Sequence, residues 1–526
     1  MQNVNYTALT PLTFLERAGR YFTHQVAFDD LKGHSFTYGD LLSRSKSAAQ
    51  FLINNATSEM PKVAVILDNG LASFEAHFFV PASKGVIVNL NPTLSISELI
   101  SQIKQSDSEF VILSEQLFKS NEDALLSIGL TNYVCVDNSS DTHFSCAPNV
   151  TRYDDLFETQ SEMLSLDQFV VDELSLIGIN YTSGTTGNPK GVTFTHRSAY
   201  LQALGQCILL GLNNQSNYYF MLPMYHGNGW FQVWANVAAT SKMIIPNVPH
   251  LSEMAEQMLE HGISHCAGSP RLLKNIYRME LLDRLSGLVI MTGGAAPTPQ
   301  LVALSRQYGI RLIPQYGLNE SCATFCVTDF IDREADELVN VFGQGVPAVH
   351  TGIGIKVVDN ENNEIPKDGK SVGEILLRGN TVSAGYYRNE HETQKSFSDG
   401  WFRTGDIASV SPNGTLILKD RLKDIVFIDT PEGWLNVSTL EVERVLLTHE
   451  SVKDVAVVGI DTEQSELIAF IESDDANFDI SQLGLFCKDK LGRYHIPNRF
   501  IRQDLPKTVT GKIQKHILRK LLDSHA

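Results

Sequence analysis

The chain has no run of about 18 uncharged apolar residues, so no segment reads as a membrane span. It has no excess of positive charge. Its 42 Lys and Arg face 60 Asp and Glu, a net charge of -18, which excludes broad binding to a phosphate backbone. An anionic ligand would have to sit in a locally basic or amide-rich pocket. Cysteine is scarce: seven residues, Cys135, Cys146, Cys207, Cys266, Cys322, Cys326 and Cys487, with no CxxC pair among them. An odd, scattered set excludes a disulfide framework and argues against a zinc site; reduced thiols in a cytoplasmic protein are expected. Met1 to Thr13 lacks a basic start followed by an apolar block, so no secretory leader is expected. Repeats and low-complexity tracts are absent too.

What is present is an ordinary globular composition, 43% apolar and 19% charged, in 526 residues. That length can bury a large core and divide into more than one domain. Short β-branched runs such as Val63–Leu67, Phe110–Leu113 and Leu288–Met291 alternate with stretches of helical spacing such as Ser252–His261. The alternation predicts an α/β fold with largely parallel sheets. Between Val346 and Lys419, turn signals at Asp359-Asn360, Lys367-Asp368-Gly369 and Pro412-Asn413-Gly414 predict an antiparallel, β-rich subdomain. The charged run Asp420–Asp424 follows a strand at Thr415–Leu418 and marks a boundary. A large N-terminal domain is expected over 1–420 and a small α+β domain over 421–526. The latter should contain a helix from about Thr439 to Leu447, strands at Val455–Val458 and Leu467–Ile471, and a helix from about Ser481. Its tail, Lys507 to Lys520, is strongly basic.

The most informative segment is Tyr181–Val192, which follows the apolar strand Leu174–Ile179. Glycines let backbone amides approach an anion, hydroxyls donate to phosphate oxygens, and lysine supplies charge. Thr182, Ser183, Gly184, Thr185, Thr186, Gly187 and Lys190 provide all three. A P-loop needs Gly-Lys adjacent and then Ser or Thr. Here two residues separate Gly187 from Lys190, and Gly191 follows the lysine, so that reading fails on spacing.

The same segment resembles the signature of the adenylate-forming superfamily of acyl-CoA synthetases, luciferases and peptide-synthetase adenylation domains. The resemblance covers nearly the whole chain, with further motifs in the family's order. It implies that Gly293–Pro297, with Gly294 and Ala295, is the adenine-binding turn. Gln315-Tyr316-Gly317-Leu318-Asn319-Glu320 resembles the family's Tyr-Gly-x-Thr-Glu motif, which implies Tyr316 stacked on adenine. It also implies Thr185 and Glu320 on magnesium, an ion that prefers oxygen ligands. Asn319 departs from the usual threonine; an amide still donates a hydrogen bond, so altered affinity is expected rather than lost function. Asp406, in Trp401–Asp406, would accept from both ribose hydroxyls. Arg421 would touch the nucleotide from the domain junction, and Lys423 would be the hinge. Lys512, in Thr510-Gly511-Lys512, would neutralise charge as the carboxylate attacks the α-phosphate.

Leu222–Trp230 resembles the segment beside the acyl pocket of fatty-acyl and medium-chain acyl-CoA ligases, and puts His226 and Trp230 in that pocket. Amino-acid-activating relatives generally carry an aspartate there for the α-amine; His226 favours an acid without one. The implied reaction is acid plus ATP giving acyl-AMP and pyrophosphate, then transfer to a thiol with release of AMP. ATP, magnesium and coenzyme A are the implied cofactor and substrates, in fatty acid metabolism, with a homodimer left open. Two other readings are an acyl-acid to carrier-protein ligase and a degenerate member that only binds a nucleotide or a partner. The second is disfavoured because Lys190, Glu320, Asp406, Arg421 and Lys512 are all present. After Asp424 the chain departs again. Ile425–Ser438 is longer than the family's compact turn and puts Pro431 and Trp434 where small residues are usual, near the expected path of the pantetheine arm.

Overall fold

The computed structural model describes residues 5–130, 132–137, 149–182, 189–246, 251–270, 276, 282–294, 296–297, 299–328, 343–430, 433–460, 466–488, 490–508 and 513–523. Side chains 228, 230, 251, 252, 282, 299, 427, 429, 430, 433–436 and 523 are outside that description.

Two large, mostly parallel sheets form the body. A seven-stranded sheet runs from Val150–Arg152 through Tyr133–Val136, Ser108–Ser114, Lys62–Ile66, Val86–Asn89 and Leu176–Thr182 to Lys190–Thr195. In the strand Lys62–Ile66, Val63 and Val65 join one hydrophobic cluster while Ala64 and Ile66 join another. A strand buried on both faces reads as a continuous apolar run, which is why this sheet was legible. A nine-stranded sheet includes Ala323–Val327, Arg311–Leu318, Val289–Thr292, His265–Gly268 and Asn217–Tyr219 in adjacent order. The last four of these pair in parallel, and Ala323–Val327 returns antiparallel. The helices are set by local chemistry. Thr37 with Asp40, and Ser95 with Glu98, make reciprocal capping boxes that open the helices Tyr38–Asn55 and Ile96–Gln105.

A five-stranded antiparallel sheet follows, built from Ile355–Val358, Gly373–Leu377, Phe397–Ser398, Trp401–Val410 and Leu416–Arg421. The expected antiparallel subdomain is therefore present. The strand expected to stop at Leu418 instead runs to Arg421, because its register with the long strand Trp401–Val410 continues to the pair Asp406–Arg421. Beyond Arg421 the strands pair among themselves. Val426–Thr430 and Gly433–Val437 form an antiparallel ribbon, and Asp454–Ile460, Glu466–Glu472 and Arg499–Arg502 form a separate sheet. The helices Thr439–Leu446 and Lys515–Asp523 pack against the strand Asp454–Ile460. Ile425–Ser438, read as an extended loop, is thus mostly paired strand. No described helix is long and apolar enough to cross a membrane, and the described cysteines are all free thiols.

Candidate active site

Among the described residues, Thr182 ends the strand Leu176–Thr182, Gly293 and Gly294 follow Val289–Thr292, and Asn319 and Glu320 follow Arg311–Leu318, at the strand ends of an α/β sheet where ligands bind. Thr182 and Lys190 face each other across the antiparallel pair Leu176–Thr182 and Lys190–Thr195. Ser183, Gly184, Thr185, Thr186 and Gly187, between them, lie outside the described residues, as do Ala295 and Lys512. Gly293 and Gly294 follow the strand Val289–Thr292. Gly294 sits at φ +82°, where a side chain would be strained. A Cβ on Gly293 would lie 2.6 Å from the amide nitrogen of Gln315 on the neighbouring strand.

Tyr316 leaves that strand toward the five-stranded sheet. Its buried hydroxyl donates to Asp406 Oδ2 at 2.9 Å. Arg421 Nε lies 3.2 Å from Asp406 Oδ1, held there by the strand register. Burial, then the Asp406 charge, push the Tyr316 phenol well above its usual value, so it stays a donor. Both oxygens of a nearly buried carboxylate are therefore oriented before any nucleotide arrives.

Glu320 stands on a tight turn, Asn319–Ser321, after the same strand. Gly317 makes this turn possible: a Cβ there would come within 1.4 Å of the Ala323 carbonyl oxygen. Backbone cannot yield as a flexible side chain can. Gly317→Ala is expected to cost about 3 kcal/mol, measured as a lower midpoint in urea unfolding; an unchanged midpoint would remove Gly317 from this role.

The Glu320 carboxyl accepts from Tyr386 OH at 2.9 Å. Loss of solvent raises its pKa, against the opposing pull of the Tyr386 hydrogen bond and the charges of Arg421 and Lys190. Tyr386 is brought in by the segment around Gly385, which runs beside the strand Lys190–Thr195: Thr193 N–H donates to Gly385 O at 3.1 Å, and Tyr387 N–H to Gly191 O at 2.7 Å. Lys190 then lies 5.0 Å from the centre of the Tyr386 ring and pairs with Glu392. Tyr386 and Glu392 were not anticipated. Their partners lie 66 and 202 residues away in sequence, and neither sits in a recognisable local pattern.

The segment Leu222–His226 is strapped across the body by two asparagines. Asn69 donates to Leu222 O and accepts from Met224 N–H, both at 2.7 Å; Asn180 donates to Tyr225 O at 3.0 Å. His226 accepts from Gly229 N–H through its carbonyl and opens a short helix, Gly227–Trp230; the Trp230 side chain lies outside the described residues. Lys423 lies in the turn after Arg421. Burial, then the like charges of Arg421, Arg519 and Lys515, lower its pKa, while Asp424 opposes the shift.

A large parallel α/β body, its strand ends converging on Tyr316, Glu320, Asp406 and Arg421, followed by separate C-terminal sheets, is the architecture of an adenylate-forming acid–thiol ligase. The chain belongs to the AMP-binding enzyme family: residues 15–387 match the model for that enzyme, and residues 441–512 match that of its C-terminal domain. An acetate–CoA ligase of Humulus lupulus is 32% identical over 98% of this chain and 95% of its own length. A 4-hydroxybutyrate–CoA ligase of Metallosphaera sedula is 31% identical over 98% of this chain and 94% of its own. Among solved structures, ATP-bound MatB from Rhodopseudomonas palustris superposes with a TM-score of 0.83, at 20% identity, over 98% of this chain and 99% of that one.

Proposed function

We propose that the chain is an AMP-forming acyl-CoA ligase that activates a short monocarboxylic acid. The acid attacks the α-phosphate of ATP to give acyl-AMP and pyrophosphate; the thiol of coenzyme A then takes the acyl group and AMP leaves. The observation that carries this reading is the oriented row Tyr316–Asp406–Arg421 beside Glu320 and Lys190. Asp406 would hold the ribose and Arg421 the nucleotide phosphate side. Gly293, Gly294 and Gln315 would line the adenine, and Lys190 would exchange Glu392 for the phosphates of ATP. His226 and Trp230 would border the acid, and Lys512 would arrive from the C-terminal domain, taken as residues 421–526, by rotation about Lys423.

Glu320 fits a magnesium ligand. It is a carboxylate short of solvent that accepts from Tyr386 OH and from backbone N–H, both neutral donors, and lies near two cations. Among the described residues no cluster of three or more acidic, His or Cys side chains could hold a metal alone. Magnesium takes most of its ligands from phosphate and water, with Thr185 as the other proposed protein contact. Magnesium bound there would offset charge on the phosphates of ATP.

Glu320→Gln is expected to raise the magnesium concentration for half-maximal activity about tenfold or more, with little change in acid KM. In the wild type the same requirement should grow as pH falls toward the raised pKa of Glu320, because only the ionised carboxylate binds the metal. A magnesium titration unaltered in the variant would refute the role.

The free thiols fit a reducing, cytoplasmic setting, although an acetate/butyrate–CoA ligase of Arabidopsis thaliana, 32% identical, is named as peroxisomal. The deciding experiment measures pyrophosphate release and thioester formation across a panel of acids, with coenzyme A and a phosphopantetheinylated carrier protein as alternative acceptors. Acid-dependent pyrophosphate release with thioester formed on coenzyme A supports the reading. Transfer to the carrier alone overturns the acceptor. Nucleotide binding without turnover overturns the enzyme.

A further inference from the structure

Between the nucleotide turn at Gly293 and the pocket segment ending at Trp230 lies a row of neutral amides that the reaction above does not use. Gln232, the second residue after Trp230, is fully buried and opens the helix Gln232–Ala239. Its Nε2 donates to Gln206 Oε1 at 3.0 Å and lies 3.9 Å from the sulfur of Met291. Gln206 in turn donates to Thr324 Oγ1 at 2.7 Å, and Thr324 Oγ1 is also 3.9 Å from that sulfur. Met291 lies on the strand Val289–Thr292, just before the turn at Gly293.

One acceptor on this row has no hydrogen-bond partner among the described residues, the buried Gln232 Oε1. Leaving a buried polar atom unpaired costs about 1–3 kcal/mol. Buried acceptors without donors define the chemistry that would complete them, which is a hydroxyl or N–H. A second carboxylate brings only acceptors, and the row holds no cation to receive one. His350 sits beside the row, its Nε2 2.9 Å from Gln202 Oε1 and 3.3 Å from Thr324 O, and burial holds its pKa down to about 4, so it is neutral.

Taking the ligase reading as its basis, we propose that the acyl pocket ends on the Gln232–Gln206–Thr324 row and selects short acids bearing a hydroxyl at the far end. The distal hydroxyl would donate to Gln232 Oε1. An alkyl acid of equal length would leave that oxygen unpaired, and a dicarboxylic acid would bring an uncompensated charge.

The test compares butyric, 4-hydroxybutyric and succinic acids by kcat/KM in acid-dependent pyrophosphate release, with the wild type and Gln232→Met. Methionine is close in volume and takes away the acceptor, and the melting temperature of each protein is recorded. The wild type should prefer 4-hydroxybutyrate over butyrate by roughly tenfold to hundredfold and use succinate least. Gln232→Met should reverse the first preference, chiefly through KM. If the wild type uses butyrate as well as the hydroxy acid, the specificity proposal falls and the ligase reading stands. If Gln232→Met folds and keeps the wild-type ratio, the row is only structural. If no acid releases pyrophosphate although ATP binds, the ligase reading falls and this proposal with it.

Discussion

Lys512→Ala is expected to slow acyl-AMP formation roughly 10²- to 10³-fold while leaving thioester formation from supplied acyl-AMP near the wild-type rate. The magnitude is that of removing one preorganised group from the charge that develops in a transition state. The residues around Lys512 say why the fold should survive. Lys507 is held by Asp454 and Glu472, and Lys515 by Glu443 at 2.7 Å and Thr439 at 2.8 Å. Gln514 N–H donates to Pro506 O at 2.8 Å, and Lys507 bridges Ile513. Both ends of the segment are therefore anchored by charges other than that of Lys512. The two half-reactions are read separately, as acid-dependent pyrophosphate release and as thioester formed from synthetic acyl-AMP. An equal loss in both would remove Lys512 from adenylation chemistry.

Lys423→Pro is expected to act in the opposite sense, sparing adenylation within about threefold and lowering thioester formation on the order of 10²-fold. Proline fixes φ near -65°, and a hinge must change its backbone torsions to move one domain against the other. The hydrogen bonds of this turn run from Leu422 N–H to Gly405 O, and from Asp424 and Ile425 N–H to Arg421 O, so proline at 423 removes none of them. Asp424 also stays paired with Arg519 at 2.5 Å. Loss of the ammonium itself is separated by Lys423→Ala, which keeps φ free and should retain both steps. Equal retention of both steps in the proline variant would place the hinge elsewhere.

Much of the molecule was legible in its sequence. Val63–Ile66 and Val289–Met291 read as buried strands because the side chains of a central parallel strand face apolar layers on both sides. The order of motifs from Tyr181 to Lys512 marked the chemistry, because phosphate, ribose and metal each demand particular groups on short, glycine-permissive turns. Such properties are local. They follow from the alternation of strand side chains, from capping at Thr37 and Ser95, and from the torsional freedom at Gly294.

What the sequence left open depended on which distant segments become neighbours. The charged run Asp420–Asp424 read as a boundary after a strand ending at Leu418, yet Arg421 is itself a strand residue, because its partner strand is long enough to reach Asp406. Ile425–Ser438 read as a loop, yet most of it is a paired ribbon, since strand pairing depends on register and not on the composition of one segment. Tyr386, Glu392 and Gln232 carry no local signature at all. Their positions beside Glu320, Lys190 and Gln206 exist only once two sheets and the segment around Gly385 are stacked. The sequence by itself determined the α/β class and the nucleotide chemistry, because both rest on patterns within a dozen neighbouring residues. The tertiary structure decided which carboxylates are oriented and which amides are left unpaired, because these depend on contacts closed over tens to hundreds of residues.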